Sequence, residues 1–344
     1  MKPAEVLFLS QEDVIASGAL DMGLAIPTME EVFRLHHARD YVLPPKCVLR
    51  WGGHESEISR GRINAMPGWI GGGIAAVGIK WIASSPTNPF KHRLPRASAV
   101  IALNDPETLV PIAIMDGTVI SASRTGANTG VAAKYLAKPG SRALGLIGAG
   151  VQNRTQLLAL KHVLCSLRDI RVYDVDPARA WAFAREMGPG IEEEIRVVQS
   201  AGEAVAGADV WVTATVTHEP VIKADWLEPG VFYSHVGSHE CEFAAITRFD
   251  KRVVDDWGEI KHRGVESLAI MYHDGVIGDD AIHAELGQIV SGEKPGRESP
   301  GETIYFNTVG MGIEDIALAD AVYKRALQMG LGQKLRLWEK PFAL

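Results

Sequence analysis

One stretch near the middle of the chain constrains the fold more than any other. The apolar run Ala143–Ile147 has the length of a buried parallel strand and leads directly into Gly148 and Gly150. A helical pattern of leucines follows over residues 152–164, and a second apolar strand then ends on Asp174. Strand, glycine turn, helix, strand and acid in this order form the first half of a dinucleotide-binding unit.

Each residue type in this unit has a role in holding a dinucleotide. Gly148 permits a tight turn, and Gly150 lets a pyrophosphate approach the backbone, where the helix N-terminus presents N–H groups. Asp174 is placed to accept hydrogen bonds from both ribose hydroxyls, and its charge disfavours a 2′-phosphate, so NAD is predicted over NADP. Asn153 replaces the third glycine of the fingerprint, and an ordinary strand–helix turn is the alternative interpretation. Asp176 is a rival for the ribose, although an aspartate before proline is typical of a helix cap.

Composition sets the class of protein. A chain of 344 residues with 47% hydrophobic residues has room for two domains with full cores. The formal net charge of −7 argues against nucleic acid as a partner. Three cysteines without metal-ligand spacing suit a reducing cytoplasm, and no metal is predicted. With no signal region and no apolar run near ~20 residues, neither export nor membrane insertion is expected.

The flanking segments predict two α/β domains. Strands separated by Gly, Pro and Asn over about the first 120 residues indicate an antiparallel sheet with flanking helices. A helix over 117–137 leads into alternating strands and helices, which predict a doubly wound parallel Rossmann sheet. The last helix, 312–329, is expected to return to the first domain. The predicted domains are 1–125 with 316–344 for substrate binding and dimerisation, and 126–315 for NAD.

Four cations are candidates for binding a substrate anion. Lys46 and Arg50 lie close together, and Lys80 lies inside an apolar strand. Because an unpaired buried ammonium is costly, Lys80 is expected either to meet a ligand anion or to reach the surface. Arg124 lies among small residues, and its planar fork matches a carboxylate. The alternative for Arg124 is a structural link between the two domains.

The loop after the strand at 231–236 carries a candidate acid or base. Val236 ends that strand, and Gly237 and His239 follow it. Ligands of open α/β sheets bind outside the carboxyl ends of strands, so Val236 and Gly237 are predicted to contact the cofactor. His239 is therefore a candidate for general acid–base catalysis, unless it is simply a solvent-exposed loop histidine. Glu240 and Glu242 either orient His239 or are exposed.

Two further segments are assigned to the nicotinamide end of the site. Thr215 follows the strand at 209–213, and Thr308 and Val309 precede the last helix. The strand end before Thr215 faces the second half of a dinucleotide in a Rossmann domain. The polar groups of residues 307–310 are within reach of the nicotinamide amide. Thr215 and Thr308 are predicted to contact the cofactor, and Val309 to line the substrate pocket.

Taken together, the motifs resemble the ornithine cyclodeaminase/mu-crystallin family. They span nearly the whole chain and occur in the family's order: PPKCVL, VGIKW, SASRTGANTGVAAKYLA, LGLIGAGVQ, RVYDVDP, GADVWVTAT, LEPGVFYSHVG and FNTVGMGIED. The FLSQEDV start and the VGSHE loop resemble the branch whose members are named as a tyramine oxidase subunit. The resemblance implies a homodimer in which the N-terminal domain and the C-terminal segment form the dimer interface and an amino-acid pocket, with a Rossmann domain beside them.

The resemblance also implies roles for individual residues. Lys46, Lys80 and Arg124 correspond to positions that hold the substrate carboxylate. The cofactor positions correspond to Val151 and Gln152 at the pyrophosphate, Asp174 at the ribose, and Thr215 and Thr308 near the nicotinamide.

Three positions depart from the cyclodeaminase pattern. His239 and Phe243 stand where cyclodeaminases carry an aspartate and a lysine, and Lys46 replaces an arginine. The first hypothesis is therefore an NAD(H)-dependent oxidoreductase acting on a C–N bond, an amino-acid dehydrogenase or imine reductase with Lys80, Arg124 and His239 as catalytic residues. Its substrate is expected to be a small 2-oxo or imino acid, including dicarboxylates such as iminosuccinate. The alternatives are cyclodeamination of ornithine or lysine, with NAD used catalytically, and a non-catalytic nucleotide-binding accessory protein.

Overall fold

The chain divides into two compact units. The computed structural model describes residues 3–52, 61–217 and 219–342. The first unit comprises Met1–Arg124 and Met311–Leu344, and the second comprises Thr125–Gly310. The sequence placed residues 311–315 in the NAD domain, whereas the structure assigns them to the first unit. The start of the last helix therefore belongs with the N-terminal sheet.

The first unit contains an eight-stranded sheet over the residues described. Its strands are β1 (Ala4–Leu9), β2 (Tyr41–Val42), β3 (Cys47–Arg50), β4 (Arg62–Ile70), β5 (Ala76–Ser84), β6 (Ala97–Asn104), β7 (Pro111–Asp116) and β16 (Gln333–Trp338). The strand order is β16-β1-β7-β6-β5-β4-β2, and β3 pairs with β4.

The antiparallel sheet predicted for the first unit contains a parallel pair of strands. Strands β4 to β7 pair in antiparallel fashion, but β1 pairs in parallel with β7. On its other side β1 pairs in antiparallel fashion with β16, which the sequence did not predict. Lys334 and Arg336 alternate with leucines along β16, a pattern typical of an edge strand exposed to water.

Helices cover part of this sheet. They are α1 (Gln11–Ala16), α2 (Met22–His37), α3 (Asn88–Lys91) and α12 (Gly312–Met329). The predicted cap of α1 is confirmed, because Ser10 and Asp13 form a capping box. Helix α12 packs on α2 and on β4, β5 and β6. A Cβ atom at Gly68 would lie 2.9 Å from the Ile313 Cγ2 atom, so the first turn of α12 lies directly against β4.

The second unit is a parallel doubly wound sheet, as predicted. Its strands are β8 (Ala143–Ile147), β9 (Asp169–Tyr173), β10 (Ile195–Val197), β11 (Val210–Thr213), β12 (Phe232–His235), β13 (Lys251–Val254), β14 (Ala284–Glu285) and β15 (Ile304–Asn307). The order is β10-β9-β8-β11-β12-β15-β13-β14, and each neighbouring pair in this order is parallel. The chain order reverses between β8 and β11, which is the switch point where such sheets bind ligands. Strand β15 was not predicted, although it lies between β12 and β13.

Helices flank the second sheet. The helix α4 (Thr118–Leu136) begins in the first unit and ends in the second. The others are α5 (Val151–Val163), α6 (Pro177–Ile191), α7 (Ala201–Val205), α8 (Phe243–Ile246), α9 (Trp257–Arg263), α10 (Ser267–His273) and α11 (Leu286–Val290). Within the three ranges described, no helix has both the length and the apolarity needed to cross a membrane.

Candidate active site

The turn after β8 has the geometry of a dinucleotide-binding loop. Gly148 has a φ of +95°, and a Cβ atom there would lie 2.7 Å from the Ala214 carbonyl oxygen. Only glycine satisfies both the backbone conformation and this close approach. Gly150 is the N-cap of α5 and supplies no side-chain cap, so the first N–H groups of the helix need another partner. This arrangement suits the negative charge of a pyrophosphate.

Asn153 accounts for the missing third glycine. Its side chain is fully buried, and its amide donates to the Ile147 carbonyl oxygen at 2.9 Å and to the Gly148 carbonyl oxygen at 2.5 Å. These two buried hydrogen bonds therefore connect the first turn of α5 to the end of β8 and the glycine turn. A glycine at this position would let the helix pack closely on the strand; Asn153 instead joins them through its two hydrogen bonds.

Asp174 and Asp176 have separate roles. The half-buried Asp174 accepts from the Ala149 N–H at 2.7 Å through Oδ2 and from the Asp176 N–H at 3.0 Å through Oδ1. Asp176 accepts from the Ala178 N–H at 3.0 Å and is the N-cap of α6. The prediction that Asp176 caps a helix is confirmed, and Asp174 remains the candidate for the ribose. Each of its oxygens accepts one backbone hydrogen bond and retains a second lone pair.

The remaining predicted pyrophosphate residues lie at the start of α5. Val151 is the first helical residue and is 61% exposed. Gln152 follows it and is half-buried. Both positions flank the N-terminus that Gly150 leaves without a side-chain cap.

The loops after β11 and β12 converge on one carboxylate. Glu240 is fully buried, and its Oε2 atom accepts from the Thr213 hydroxyl and from the Gly237 N–H, each at 2.7 Å. Its Oε1 atom accepts from the Thr215 N–H at 2.5 Å. Burial raises the pKa of Glu240, and these hydrogen bonds oppose the increase. The sequence left Glu240 either as the partner of His239 or as exposed, and the structure supports neither. Val236, at the start of this segment, donates its N–H to the Thr213 carbonyl oxygen at 3.0 Å.

His239 is oriented by a residue that the sequence did not identify. Its Nδ1 atom lies 3.0 Å from the hydroxyl oxygen of Ser267, the first residue of α10, and its ring packs against Phe243. The half-buried setting lowers its pKa below the usual value for histidine. A neutral imidazole held through one nitrogen can accept a proton at neutral pH.

The segment after β15 is tied to another buried carboxylate. Asp255 Oδ2 accepts from the Thr308 hydroxyl at 2.7 Å, from the Val309 N–H at 2.8 Å and from the Gly310 N–H at 2.7 Å. Thr308 and Val309, predicted for the cofactor and the substrate, are both buried, and Asp255 fixes their backbone. Asp255 directly follows β13, a strand end that the sequence analysis did not use.

In the first unit, four charged side chains form a buried cluster. Lys80 Nζ lies 2.6 Å from Asp315 Oδ2, and Arg124 Nε lies 3.2 Å from Asp315 Oδ1. The Arg124 NH1 atom lies 2.8 Å from Glu314 Oε2. All four residues are less than a tenth exposed. The alternative in which Lys80 reaches the surface is wrong, because the residue is buried and Asp315 pairs with its ammonium group, while binding of a ligand anion stays a prediction.

Lys80 and Asp315 are ionised at neutral pH. Burial lowers the pKa of Lys80 to about 8, with Asp315 opposing the decrease and Arg124 and Lys46 adding to it. Burial alone would raise the pKa of Asp315, but the charges of Arg124 and Lys80 outweigh it and the pKa lies below its usual value. Lys80 therefore carries its proton at pH 7, although an ordinary lysine would keep it to higher pH.

Lys80 and Arg124, two of the four candidate cations, have acidic partners within the protein. Glu314 and Asp315 balance the charges of Lys80 and Arg124, and the sequence analysis had named no acid there. Lys46 is half-buried and close enough to influence the pKa of Lys80. Arg50 is exposed at the end of β3 and, over the residues described, makes no hydrogen bond or ion pair to the cluster.

The sequence did not single out Glu314 and Asp315 as partners of the buried cations. Glu314 and Asp315 lie in the first turn of α12, where acids ordinarily complement the helix dipole. One signal could have identified them. A lysine buried in an apolar strand requires a counter-charge, and Glu314 and Asp315 lie between Ile313 and Ile316 in a helix that is otherwise rich in apolar and small residues.

The comparisons with known proteins agree with this architecture. Residues 5–330 match the sequence model of the ornithine cyclodeaminase/mu-crystallin family, and the chain belongs to that family. It is 38% identical over 335 residues to N-((2S)-2-amino-2-carboxyethyl)-L-glutamate dehydrogenase of Staphylococcus aureus, covering 97% of this chain and 99% of that protein. The similar proteins give no support to the predicted tyramine oxidase branch.

Two solved structures are similar over almost the full length. Thermococcus litoralis Δ1-pyrroline-2-carboxylate reductase in complex with NADH and L-proline has 36% sequence identity and a TM-score of 0.87, covering 96% of this chain and 100% of that one. An archaeal alanine dehydrogenase dimer with bound NAD also has 36% identity and a TM-score of 0.87, covering 97% and 100%. Both likenesses support the Rossmann assignment of the second unit.

Proposed function

We propose that this chain is an NAD(H)-dependent oxidoreductase that acts on the C–N bond of an amino or imino acid. The observation that carries the proposal is the strand-end site of the second unit, where the Gly148 turn, the α5 N-terminus and Asp174 follow the geometry of a dinucleotide site. The similar proteins include an S. aureus dehydrogenase and a T. litoralis reductase bound to NADH and L-proline, which supports both the cofactor and the reaction class.

The residues present fit NAD rather than NADP. Gly150 and Val151 would hold the pyrophosphate at the N-terminus of α5, with Gln152 beside them. Asp174 would accept hydrogen bonds from the adenosine ribose, and its charge would repel a 2′-phosphate. Thr215 and Thr308 follow β11 and β15 on the other side of the switch point and would lie near the nicotinamide. When bound, the cofactor supplies or accepts the hydride.

The first unit would bind the substrate carboxylate. Lys80 and Arg124 supply the positive charge, and Lys46 lies close enough to lower the pKa of Lys80 further. Arginine offers a planar pair of donors suited to a carboxylate, whereas lysine acts as a point charge. The predicted substrates are small 2-oxo or imino acids, and a screen should include dicarboxylates such as iminosuccinate.

His239 would move the proton at the substrate nitrogen. An α-ammonium group must lose a proton before hydride can leave the α-carbon, and a histidine with a lowered pKa is suited to accept it. Ser267 would fix the orientation of the ring through Nδ1 and leave Nε2 for the substrate. In the reverse direction the same nitrogen would return the proton.

A spectrophotometric screen tests the proposal. Purified protein is mixed with NADH and either ammonia plus single 2-oxo acids or preformed cyclic imino acids, and amino acids are tested with NAD. We expect NADH absorbance to change with at least one substrate and the rate to fall by about 10²–10⁴-fold in H239Q, the usual range for a lost acid–base group. Dicarboxylic and monocarboxylic oxo acids are compared at equal concentration.

Each other outcome identifies a different function. Ammonia released from ornithine or lysine at constant absorbance would show cyclodeamination instead of net oxidation. Binding of NADH without turnover of any substrate would favour the accessory, non-catalytic role. No binding of NADH would refute the proposal altogether.

We also infer that the chain forms a homodimer through the open face of the first sheet. Phe8, Trp81, Val100 and Ile114 are 37–48% exposed, and the cross-strand pairs Phe8–Ile114 and Trp81–Val100 place them on one face. A contiguous apolar face of this kind is typical of a protein interface. Sedimentation velocity on the native chain and on W81E tests the inference: a monomeric native chain would refute it, and a dimer that W81E weakens would support it.

A further inference from the structure

We propose that Glu240 is a positioning residue that sets the nicotinamide half of the dinucleotide site. The inference rests on the proposed function. Glu240 touches neither substrate nor cofactor in this proposal. It acts through the two loops that its carboxylate joins, one after β11 and one after β12.

The contacts make Glu240 a bridge between neighbouring strand ends. Thr213 is the last residue of β11, and its hydroxyl donates to Oε2 while the Thr215 N–H donates to Oε1. Gly237 lies two residues beyond β12 and donates its N–H to Oε2. Hydrogen bonds to a carboxylate are about twice as strong as neutral ones, so the bridge fixes both loops.

The space above Gly237 shows how closely the carboxylate approaches the backbone. A Cβ atom built on Gly237 would collide with the carboxylate carbon and both oxygens of Glu240. Any other residue at position 237 would therefore displace the bridge. Gly237 was predicted to contact the cofactor, and the structure supplies a reason for glycine there that does not depend on a ligand.

Neutral aromatic groups enclose the bridge. Tyr233 lies 2.7 Å, hydroxyl to hydroxyl, from Thr213, and Tyr305 lies 2.5 Å from His235 Nδ1. The Nε2 atom of His235 lies 3.4 Å from Glu240 Oε2. Burial lowers the pKa of His235 to about 3, so that ring is neutral at physiological pH. Within the described ranges, no lysine or arginine side chain is ion-paired with Glu240, and dipoles alone solvate the carboxylate.

The strand order identifies which half of a dinucleotide this bridge serves. Asp174 follows β9, on one side of the switch between β8 and β11, and is the candidate for the adenosine ribose. Glu240 joins the ends of β11 and β12, on the other side. Because a dinucleotide lies across the switch point, the nicotinamide half falls over β11 and β12.

Comparing NADH with ADP-ribose, which lacks nicotinamide, distinguishes a positioning role of Glu240 from a general contribution to stability. The dissociation constants of NADH and ADP-ribose are measured by titration calorimetry for the wild-type chain and for E240Q. We expect E240Q to weaken NADH by about tenfold or more, equivalent to about 1.4 kcal/mol, and to change ADP-ribose by less than about twofold. A merely structural role would weaken both ligands equally or neither.

D250N is the matched control. Asp250 also joins two segments of this sheet, since its Oδ2 atom accepts from the Thr303 N–H at 2.7 Å and the Thr303 hydroxyl at 2.8 Å. It lies at the amino ends of β13 and β15, away from the ligand-binding edge. Its loss should lower the melting temperature without changing the ratio of the two dissociation constants.

A second variant keeps the test decisive if E240Q does not fold. T213V removes one hydroxyl donor to the same carboxylate, and we expect it to weaken NADH selectively by a few-fold. Equal affinities of wild type and a folded variant for NADH would overturn the inference alone. A wild-type chain that binds ADP-ribose but not NADH, or neither, would overturn the proposed function and this inference with it.

Discussion

The two units bury carboxylates in different ways. In the first unit, Asp315 meets two cations, Lys80 and Arg124, and its pKa lies below the usual value although burial acts in the opposite direction. In the second unit, Glu240 meets backbone N–H groups and a hydroxyl, and burial holds its pKa above the usual value. Two neighbouring cations lower the pKa of Asp315 more than burial raises it, whereas three hydrogen bonds do not offset the effect of burial on the pKa of Glu240.

The difference follows from the two kinds of sheet. The N–H groups of β4, β5 and β6 in the first unit belong to a mainly antiparallel ladder, so a charge buried beside them needs a charged partner. In the parallel sheet of the second unit, the loops beyond the strand ends carry N–H groups that the ladder does not use. Such loops can enclose an anion. The strand-end loops of a parallel sheet can therefore bind an anion through backbone N–H groups, without a lysine or arginine beside it.

The largest expected effect comes from breaking the ion-paired cluster. D315N removes the shared anion and leaves Lys80 and Arg124 buried beside each other. We expect the free energy of unfolding to fall by about 3–5 kcal/mol, the cost of breaking a buried pair. Urea denaturation followed by tryptophan fluorescence measures the change.

Asp320 provides the control on the same helix. It is ion-paired with Lys324 at 2.7 Å, and that lysine side chain is 56% exposed. D320N should change the stability by less than about 1 kcal/mol. A D315N chain as stable as D320N would contradict the view that the cluster depends on full charges.

Removing the charge of Asp255, which accepts hydrogen bonds from N–H groups and a hydroxyl, should lower the free energy of unfolding by less than D315N does. In D255N the new amide still accepts hydrogen bonds but carries no charge and presents an NH₂ group. We expect a loss of about 1–3 kcal/mol, the range for hydrogen bonds to a charged group. The same urea experiment measures it. A loss larger than that of D315N would reverse the comparison.

Lys80 should give the first unit a distinct pH dependence. A lysine with its pKa near 8 is protonated at pH 7 and loses its charge as the pH rises through 8. If it holds the substrate carboxylate, kcat/KM should decline above pH 8 by up to about tenfold per pH unit. Arginine keeps its charge over this range, so K80R should lack that decline even if its rate is lower. Persistence of the decline in K80R would assign it to another group.

Linkage gives the matching change in stability. The pKa of Lys80 in the folded chain lies below that of an unfolded lysine, so the folded state loses its proton first. The unfolded state then binds more protons between pH 8 and 10.5, and the Lys80 contribution to the free energy of unfolding rises with pH over that window. K80R should abolish this contribution in pH-dependent melting.

The smallest expected effect concerns the half-buried Asp174. D174S removes the charge that discriminates against a 2′-phosphate and one acceptor for the ribose. We expect NADH to bind about tenfold more weakly and NADPH to bind more tightly than to the wild type. Fluorescence titration with both cofactors measures the shift. If D174S and the wild type prefer NADH over NADPH to the same extent, Asp174 does not bind the ribose.

Local patterns account for the parts of the fold that the sequence predicted. The β8–α5–β9 unit was visible because strand, glycine turn and helix are adjacent in the chain, and Ser10 could be recognised as a cap from its neighbours. Strand β15 was missed, although β11 and β12 are equally short and were predicted. It pairs with β12 and β13, which lie more than 50 residues earlier in the chain, and a four-residue strand carries almost no periodic signal of its own.

The candidate site shows the same limit. Lys80 and Arg124 drew attention because a cation in an apolar or small-residue setting is unusual. Their partners Glu314 and Asp315 lie about 190 residues or more away in sequence from either cation, and acids in a first helical turn are ordinary. Ser267 and Asp255 were missed for a related reason, since a lone serine or aspartate gains its meaning from the loop it meets.

The pairing of β1 with β16 has a consequence for how the chain is made. The first unit contains both ends of the described chain, so its sheet and the docking of α12 remain incomplete until the last strand has left the ribosome. The second unit contains only residues 125–310 and has all its strands once β15 is released. During synthesis the nucleotide-binding unit can therefore fold while the first 124 residues still lack their final helix and edge strand. Until then, Lys80 and Arg124 cannot pair with Asp315 and Glu314 of α12.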